Sequence, residues 1–137
     1  MAGYSGTPLV KKLGIKPGHQ ILVLNEPDAY WKWVSPLPED ATVKTKGAAS
    51  TIDFIHLFVK EKKRYQSEVL RLKKLLKQDG QVWISWPKKS SGVVSDLDEN
   101  VIRDFALKNG LVDVKVCAVD EVWSGLKLVI PVKDRKK

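Results

Sequence analysis

A basic, hydroxyl-bearing segment, WPKKSSG, contains the side chains that most directly suggest a binding chemistry. It places Lys88, Lys89 and Ser90 shortly after Trp86. Ammonium groups, hydroxyls and the backbone amides of a glycine-containing turn are groups that hold anions in proteins. The GxxxxGK[ST] pattern is missing, so the segment is not a Walker motif. A solvated loop whose lysines serve solubility is one interpretation of this segment, and anion binding is the functional alternative.

Two carboxylates stand near a tryptophan in a second segment, DEVWSGLK. Asp120 and Glu121 precede Trp123. Paired carboxylates can act on a substrate as general acid and base. Adjacent residues of a strand point to opposite faces of a sheet, however, so these two would seldom share one substrate. A hairpin turn with Trp123 packed on the sheet is the interpretation we favour.

A third segment, Asn25-Glu26-Pro27, is a turn that follows the first apolar run. Nucleotide-binding α/β proteins carry glycines at this point, because glycine permits a tight turn and lets backbone amides approach a phosphate. Here side chains stand where the ligand would lie, Glu26 repels phosphate, and Pro27 removes an amide donor. We expect the turn to present Glu26, with Trp31 and Trp33 forming a lid or a core plug.

The other candidates for catalysis or metal binding are two histidines and one cysteine. His56 lies in the most apolar run and is expected to be a hydrogen-bonded core residue rather than a base. His19 precedes the first strand, far from the predicted site. Cys117 is expected to be a small buried apolar residue. No metal-ligand spacing and no Ser/His/Asp or Cys/His order can be assembled, so no catalytic residue, metal or cofactor is predicted.

Strands and helices that alternate along the chain must position these residues. Apolar runs between turn residues predict strands over 20–24, 42–45, 51–59, 81–86, 112–119 and 126–132. Helices are predicted over 7–13, 28–33, 60–77 and 98–109. Their predicted limits are Thr7, Asp28 and either Ser95 or Asp98 at the starts, and Gly14, Asp79-Gly80 and Gly110 at the ends. An anion bound near Lys11 and Lys12 is the alternative to capping by Thr7.

The run TIDFIHLFV is apolar on both alternating faces, which is typical of a strand inside a parallel sheet. One face would carry Ile52, Phe54 and Phe58, and the other Ile55, Leu57 and Val59. The alternation of elements predicts an α/β fold with three layers, in which a mostly parallel, Rossmann-like sheet has helices on both faces. The last two strands would form an antiparallel hairpin joined around Trp123-Ser124-Gly125.

Length and composition predict one cytoplasmic domain. A chain of 137 residues with 43% hydrophobic content can bury one core, which we expect over 1–132, followed by a basic solvated tail over 133–137. No apolar run approaches the ~20 residues that cross a bilayer, and no signal peptide is recognisable. A single cysteine fits a reducing compartment.

The formal net charge of +8 is concentrated in one segment. Residues 60–77 contain eight basic side chains and two acidic ones. At ~100° per residue, Tyr65, Val69 and Leu72 share one face of a helix whose outer face is basic. A solvated face and a contact surface for nucleic acid or another polyanion are both compatible with this pattern. Stacking aromatic residues do not interleave with the lysines, which disfavours nucleic acid.

In open α/β sheets, ligands bind beyond the carboxyl ends of the strands. This edge is expected to collect a mixed rim of carboxylates, lysines and tryptophans. Its members would be Asn25, Glu26, Lys60, Trp86, Lys88, Lys89, Ser90, Asp120, Glu121 and Trp123.

The order of elements resembles that of S-adenosylmethionine-dependent methyltransferases. KPGHQILVLNEP stands where that family has PGxxVLDxGxGxG, and DGQVWISWP is similar to its later GGxxxxxxP strand. The resemblance implies a donor held by the glycine loop and by an acidic residue that ends the second strand. This chain has Asn25-Glu26-Pro27 and Lys44-Thr45-Lys46 at those places. We therefore expect a methyltransferase-like core without the donor site.

Three longer motifs resemble a bacterial family of small uncharacterised domains that open with YSGTPLxKKLGIK. They are YSGTPLVKKLGIKPG, WPKKSSGV and LVDVKVCAVDEVWSGLKLV. This resemblance implies the fold and a bacterial cytoplasmic origin, without an activity.

Taken together, these patterns predict a binding or regulatory domain that recognises an anionic small molecule or an acidic macromolecule through Lys88, Lys89 and Trp86. One alternative is an enzyme, either a divergent methyltransferase or one that uses Glu26 or an acidic residue of DEVWSGLK as a base. The other alternative is weak nucleic-acid binding through residues 60–77.

Overall fold

One mixed sheet organises the protein, and a computed structural model describes it over residues 8–136. The strands are β1 (Gln20–Leu24), β2 (Thr42–Lys44), β3 (Ile52–Phe58), β4 (Leu76–Pro87), β5 (Val112–Ala118) and β6 (Trp123–Val129). Their order across the sheet is β2-β1-β3-β4-β6-β5. The first four are parallel, and β6 runs antiparallel between β4 and β5. The predicted α/β fold, mostly parallel with an antiparallel hairpin, is confirmed.

Helices cover both faces of this sheet. They are α1 (Leu9–Leu13), α2 (Tyr30–Trp33), α3 (Lys62–Leu75) and α4 (Glu99–Lys108). On one face α3 and α4 bury Val69, Leu72 and Ile102 in what we call the α3/α4 cluster. On the other face α1 and α2 bury Leu13 and Tyr30 in the α1/α2 cluster. The three layers follow from these two apolar interfaces.

Strand β3 supplies side chains to both clusters in turn. Phe54 and Phe58 belong to the α1/α2 cluster, whereas Ile55 and Leu57 belong to the α3/α4 cluster. The predicted face of Ile52 is wrong, because this side chain packs in the α3/α4 cluster. A register shift between Ile52 and Phe54 interrupts the alternation at this point.

The basic helix α3 ends earlier than its turn residues predict. Its last residue is Leu75, whereas Asp79-Gly80 was the expected end. The next residue, Leu76, already pairs with Ile52 in the sheet, so strand pairing ends the helix. Gly80 lies inside β4, where an added Cβ would come within 2.7 Å of Leu76 Cδ1. Glycine therefore permits close packing in an irregular strand at this position.

The other helix limits follow the capping rules in part. Gly14 ends α1 with a left-handed φ of 81°, and Asp98 caps α4 by accepting a 2.8 Å hydrogen bond from Val101 N. The prediction that Asp28 caps α2 is wrong, because the following residue holds that position and no side chain caps it. Thr7, the predicted cap of α1, lies outside the described residues. Within residues 8–136, no helix combines the length and the hydrophobicity needed to cross a bilayer.

The hairpin between β5 and β6 turns earlier than predicted. Trp123-Ser124-Gly125 begins β6, and the turn lies over residues 119–122. Asp120 Oδ1 closes this turn by accepting hydrogen bonds from the backbone amides of Val122 (2.9 Å) and Trp123 (2.7 Å). An aspartate that bonds to amides two and three residues ahead stabilises a turn without any glycine.

The carboxyl-terminal segment, predicted as a tail over 133–137, contacts the domain at two points. A 3-10 turn spans Val132–Asp134. Arg135 Nε then donates to Ile130 O at 3.0 Å, and Lys136 N donates to Gln78 Oε1 at 2.9 Å. Both contacts lie at the amino edge of the sheet, because β6 runs antiparallel to β4.

Candidate functional site at the carboxyl edge

The order of strands reverses between β1 and β3, where connections diverge and leave a crevice in folds of this kind. Leu24 pairs with Leu57 near the ends of these strands. The crevice therefore opens above this pair, between the turn that begins at Asn25 and the residues that lead from β3 to Lys60. This is the place where the sequence predicts the site.

The turn after β1 keeps a tight backbone without glycine. Asn25 has a left-handed φ of 60°, which is the backbone conformation that glycine usually supplies in such a turn. Asparagine tolerates the left-handed region better than other non-glycine residues, which explains how the turn forms. Glu26 Oε2 accepts a 3.2 Å hydrogen bond from Trp31 Nε1, so its carboxylate is held at the crevice by the chain itself.

Aromatic residues of α2 fill the space behind this turn. Tyr30 is completely buried, and Trp31 packs edge-on against it with ring centroids 5.1 Å apart. Trp33 also lies against the α1/α2 cluster. Of the two predicted roles, a lid or a core plug, this packing fits the core plug, although both tryptophans are only partly buried.

Beneath the crevice lies a buried chain of three polar side chains, Tyr30, His56 and Ser85. Tyr30 Oη lies 2.9 Å from His56 Nδ1, and His56 Nε2 lies 2.7 Å from Ser85 Oγ. The imidazole also stacks on Phe58 at 4.3 Å. Burial lowers the pKa of His56 to about 3, so the ring is neutral at physiological pH. The predicted core histidine is confirmed, and its complete burial keeps it from substrates.

Burial also raises the pKa of two other groups of the α1/α2 cluster, the Tyr30 hydroxyl and the Cys117 thiol. It raises the pKa of the Tyr30 hydroxyl well above its ordinary value, with a smaller contribution from the Glu26 carboxylate. Burial likewise raises the pKa of the Cys117 thiol, against the opposing effect of Lys12 and Lys115. Cys117 is half-buried beside the α1/α2 cluster and is protonated under neutral conditions.

The loop before α4 covers the other side of the crevice. Asp96 Oδ1 accepts a 2.6 Å hydrogen bond from Lys62 N, the first residue of α3. Ser95 Oγ donates to Lys60 O, also at 2.6 Å, and Leu97 is buried in the α3/α4 cluster. The amino end of α3, where an anion would otherwise be favoured, is thus occupied by a carboxylate of the same chain. Sequence reasoning missed Asp96, because its partner lies far away along the chain.

The WPKKSSG segment is largely engaged in holding the hairpin. Lys88 N donates to Val122 O at 2.7 Å, and Lys88 Nζ donates to Asp120 O at 2.8 Å. The amides of Ser91 and Gly92 donate to carbonyls within a 3-10 turn over Lys89–Ser91. These two amides are therefore not free to hold an anion, whereas the side chains of Lys89 and Ser90 are exposed.

The predicted tryptophans of the rim lie on opposite faces of the sheet. Trp86 is 7% exposed and packs in the α3/α4 cluster. Trp123 is half-buried on the other face, where its ring meets Phe58 edge-on at 5.1 Å. Glu121 is exposed and does not share the turn-closing role of Asp120. The structure therefore brings Lys88, Asp120 and Trp123 together, but it separates them from Trp86.

Exposed basic residues cluster at this edge. We call them the basic rim: Lys60, Lys62, Lys63, Arg64 and Lys89. Within residues 8–136, none of the five forms an ion pair, and Glu61 interrupts the series. The same part of the chain holds no group of three or more His, Cys, Asp or Glu residues placed to bind a metal ion. Electrostatic attraction of an anion is therefore the chemistry that this edge offers.

No family model matches this chain, and no curated protein matches it. Solved structures share its fold. One is an S-adenosylmethionine-dependent methyltransferase from Aquifex aeolicus, with a TM-score of 0.66 and 15% sequence identity over 89% of this chain and 87% of that chain. Another is magnesium protoporphyrin IX methyltransferase from Synechocystis PCC 6803 with bound SAH. Its TM-score is 0.59, and its sequence identity is 13% over 88% of this chain and 77% of that chain. A third is ribosomal protein L11 methylase from Lactobacillus delbrueckii subsp. bulgaricus. Its TM-score is 0.52, and its sequence identity is 13% over 94% of this chain and 76% of that chain.

The chain has a methyltransferase-like core. Identities this low show the fold alone. The predicted resemblance to methyltransferases is confirmed at that level, whereas the resemblance to domains opening with YSGTPLxKKLGIK stays a prediction. Ligand binding by the residues of the rim also stays a prediction.

Proposed function

We propose that this methyltransferase-like core is a non-catalytic binding domain that takes an acidic partner at the carboxyl edge of its sheet. The observation that carries the proposal is the occupancy of the crevice by carboxylates of the chain itself. Glu26 is held there by Trp31, and Asp96 caps the amino end of α3.

The residues at this crevice disfavour binding of S-adenosylmethionine. The carboxylate of Glu26 repels the carboxylate of the donor, and Pro27 offers no amide hydrogen. The second strand ends at Lys44, followed by Thr45 and Lys46, so none of these three residues supplies a carboxylate that could accept hydrogen bonds from a ribose. Each lost hydrogen bond to a charged group weakens binding by about 1.5–3 kcal/mol, so two lost contacts reduce the affinity by two or more orders of magnitude.

Attraction of an acidic partner rests on the basic rim. Its side chains are exposed and form no ion pair within residues 8–136, so their charges are available to a partner. Exposed ion pairs contribute about 0–1 kcal/mol each, so recognition needs several of them and weakens as salt is added. Lys88 has a smaller part in this proposal, because its ammonium group already donates to Asp120 O.

Two measurements test the proposal. Calorimetry with S-adenosylmethionine and with its demethylated product should show no binding at concentrations up to about 1 mM. Retention on polyglutamate should be strong at low salt and should fall when Lys60→Glu and Lys89→Glu are combined. The matched control combines Lys11→Glu and Lys133→Glu, which changes the net charge equally at exposed positions elsewhere. Equal loss of retention in both double variants would refute a local site.

A divergent methyltransferase is the second candidate function. Two observations favour it: the match to methyltransferase structures over most of this chain, and the left-handed backbone at Asn25, which is the conformation that glycine supplies in nucleotide-binding turns. Saturable binding of S-adenosylmethionine, with amide shifts at Asn25 and Glu26 in NMR spectra, would establish this candidate and overturn the first. Preferred retention on single-stranded RNA over polyglutamate would instead support nucleic-acid binding.

A further inference from the structure

A groove of about 860 Å³ lies at the amino edge of the sheet, opposite the crevice described above. It is bounded by the end of α3, the residues after α4 and the start of β4. Its volume falls within the range of about 300–1,000 Å³ that is usual for small-molecule sites. The sequence did not single out this region, because its walls come from segments far apart along the chain.

The floor of the groove is aliphatic. Leu76 and Ile130 are almost completely buried, and Leu70, at 42% exposure, forms part of the rim. Among the described residues that line the groove there is no aromatic ring. Such a surface suits an alkyl chain better than a planar ring that would need a stacking partner.

Cationic groups dominate the polar part of the lining. Lys73, Lys74 and Lys136 contribute three ammonium groups, and Asp134 contributes one carboxylate. Lys73 Nζ donates to Asn109 O at 2.8 Å, which holds this ammonium group in the wall. Within residues 8–136, Lys74 and Lys136 form no ion pair. The groove therefore carries an excess of positive charge above an apolar floor.

Carbonyl groups at the carboxyl ends of α3 and α4 would normally offset this charge. Here the chain supplies donors for several of them. Ser50 N donates to Lys74 O and Thr51 N to Leu75 O, both at 3.0 Å, while Lys73 satisfies Asn109 O. With these acceptors engaged, the ammonium groups remain the strongest partners for a ligand.

We infer that this groove binds a small aliphatic carboxylate, with its alkyl chain on the leucine and isoleucine floor and its carboxylate near Lys74 and Lys136. The inference is independent of the proposed function, because the groove and the crevice lie at opposite edges of the sheet. It requires no donor and no acidic macromolecule.

Decanoate is the probe, observed by amide chemical shifts in NMR spectra of the isotopically labelled full chain. We expect saturable shifts centred on the amides of Ser50, Gly110 and Lys74. Affinity should rise about two- to fourfold for each methylene added between hexanoate and decanoate, as expected when an alkyl chain is buried. Decanol and decylamine should bind at least about tenfold more weakly than decanoate, because they lack the carboxylate.

Two pairs of variants locate the contacts. Lys74→Gln with Lys136→Gln should weaken decanoate binding about tenfold or more, whereas Lys32→Gln with Lys44→Gln, which removes the same charge at exposed positions outside the groove and the basic rim, should leave it unchanged. Leu70→Asn should weaken binding, and Leu107→Asn should not, since Leu107 is a similarly exposed leucine on α4. All four replace side chains at the surface, and unchanged thermal midpoints establish that they fold.

Three results would overturn the inference. The first is the absence of saturable shifts with decanoate, and the second is a set of shifts centred away from Ser50 and Gly110. The third is equal binding of decanoate by the Lys74/Lys136 double variant and by its charge-matched control.

Discussion

Asp96 Oδ1 accepts a hydrogen bond from Lys62 N at 2.6 Å, so the amino end of α3 is capped by a residue from the loop that precedes α4. The contact joins two segments at the carboxyl edge of the sheet and fixes the loop that Ser95 also ties to Lys60. It also places a negative charge where a bound phosphate or carboxylate would gain most from the helix dipole. An anion that approached the amino end of α3 would therefore meet a carboxylate of the chain that already caps this helix.

Asp96→Ala should lower the free energy of unfolding by about 0.5–2 kcal/mol, as the loss of a helix cap does in other proteins. Urea denaturation monitored by circular dichroism measures the effect. Asp104→Ala removes an exposed carboxylate from the middle of α4 and should change stability much less. Equal effects of the two substitutions would show that Asp96 acts through its charge alone.

Lys88 and Lys89 should respond differently to replacement by methionine. Lys88→Met removes the ammonium group that donates to Asp120 O, which should cost about 1–3 kcal/mol of unfolding free energy. Lys89→Met replaces an exposed side chain and should leave stability nearly unchanged while weakening retention on polyglutamate. The opposite assignment, with Lys89 supporting stability and Lys88 supporting binding, would contradict the geometry at this edge.

Trp31→Phe should destabilise the protein by about 0.5–1.5 kcal/mol, because it removes the indole donor that holds Glu26 while keeping an aromatic ring. Trp33→Phe is the matched control on the same short helix, since it changes ring size without removing this donor. Thermal and urea unfolding compare the two variants. If Trp33→Phe lowers stability as much as Trp31→Phe does, ring packing rather than the hydrogen bond explains the loss.

Stability should fall with pH below about 6.5 because of His56. Burial lowers the pKa of this residue in the folded state to about 3, whereas an unfolded chain binds the proton near the ordinary histidine pKa of 6.5. As the pH falls through this window, the unfolded state gains a proton that the folded state does not, and unfolding becomes more favourable by up to about 1.4 kcal/mol per pH unit. Urea midpoints between pH 7 and pH 4 measure this slope.

NMR titration provides a control that needs no substitution. The imidazole nitrogens of His56 should stay in the neutral pattern at pH 5, where an exposed histidine would be protonated. The ring of His19 serves as the internal comparison for the titration of His56. Burial also lowers the pKa of His19, but this residue is only half-buried and lies outside the core. Protonation of His56 near pH 6 in the folded protein would contradict the buried chain with Tyr30 and Ser85.

Local patterns in the sequence were sufficient to predict the central strands of the sheet and the buried position of His56. β1 occupies the predicted residues, because an apolar run bounded by a Pro-Gly turn and a polar turn can form little else. β3 is apolar on both faces and is paired on both sides, which is what a buried parallel strand requires. His56 was recognised as a core residue because it lies in the most apolar run of the chain, directly between Ile55 and Leu57.

Only the tertiary structure decided how the candidate site is divided. The sequence predicts Trp86 and Trp123 at the same edge of the sheet. Because side chains alternate along a strand, the two rings lie on opposite faces of the sheet. Helix α3 ends at Leu75 because the next residue, Leu76, pairs with Ile52 in the sheet. The same helix is capped at its start by Asp96, because the loop before α4 folds back over the amino end of α3. The groove at the amino edge likewise needs α3, α4, β4 and β6 together. Periodicity reports which side of an element is apolar, whereas these features depend on partners that are distant in sequence, and only the packing of the folded chain selects those partners.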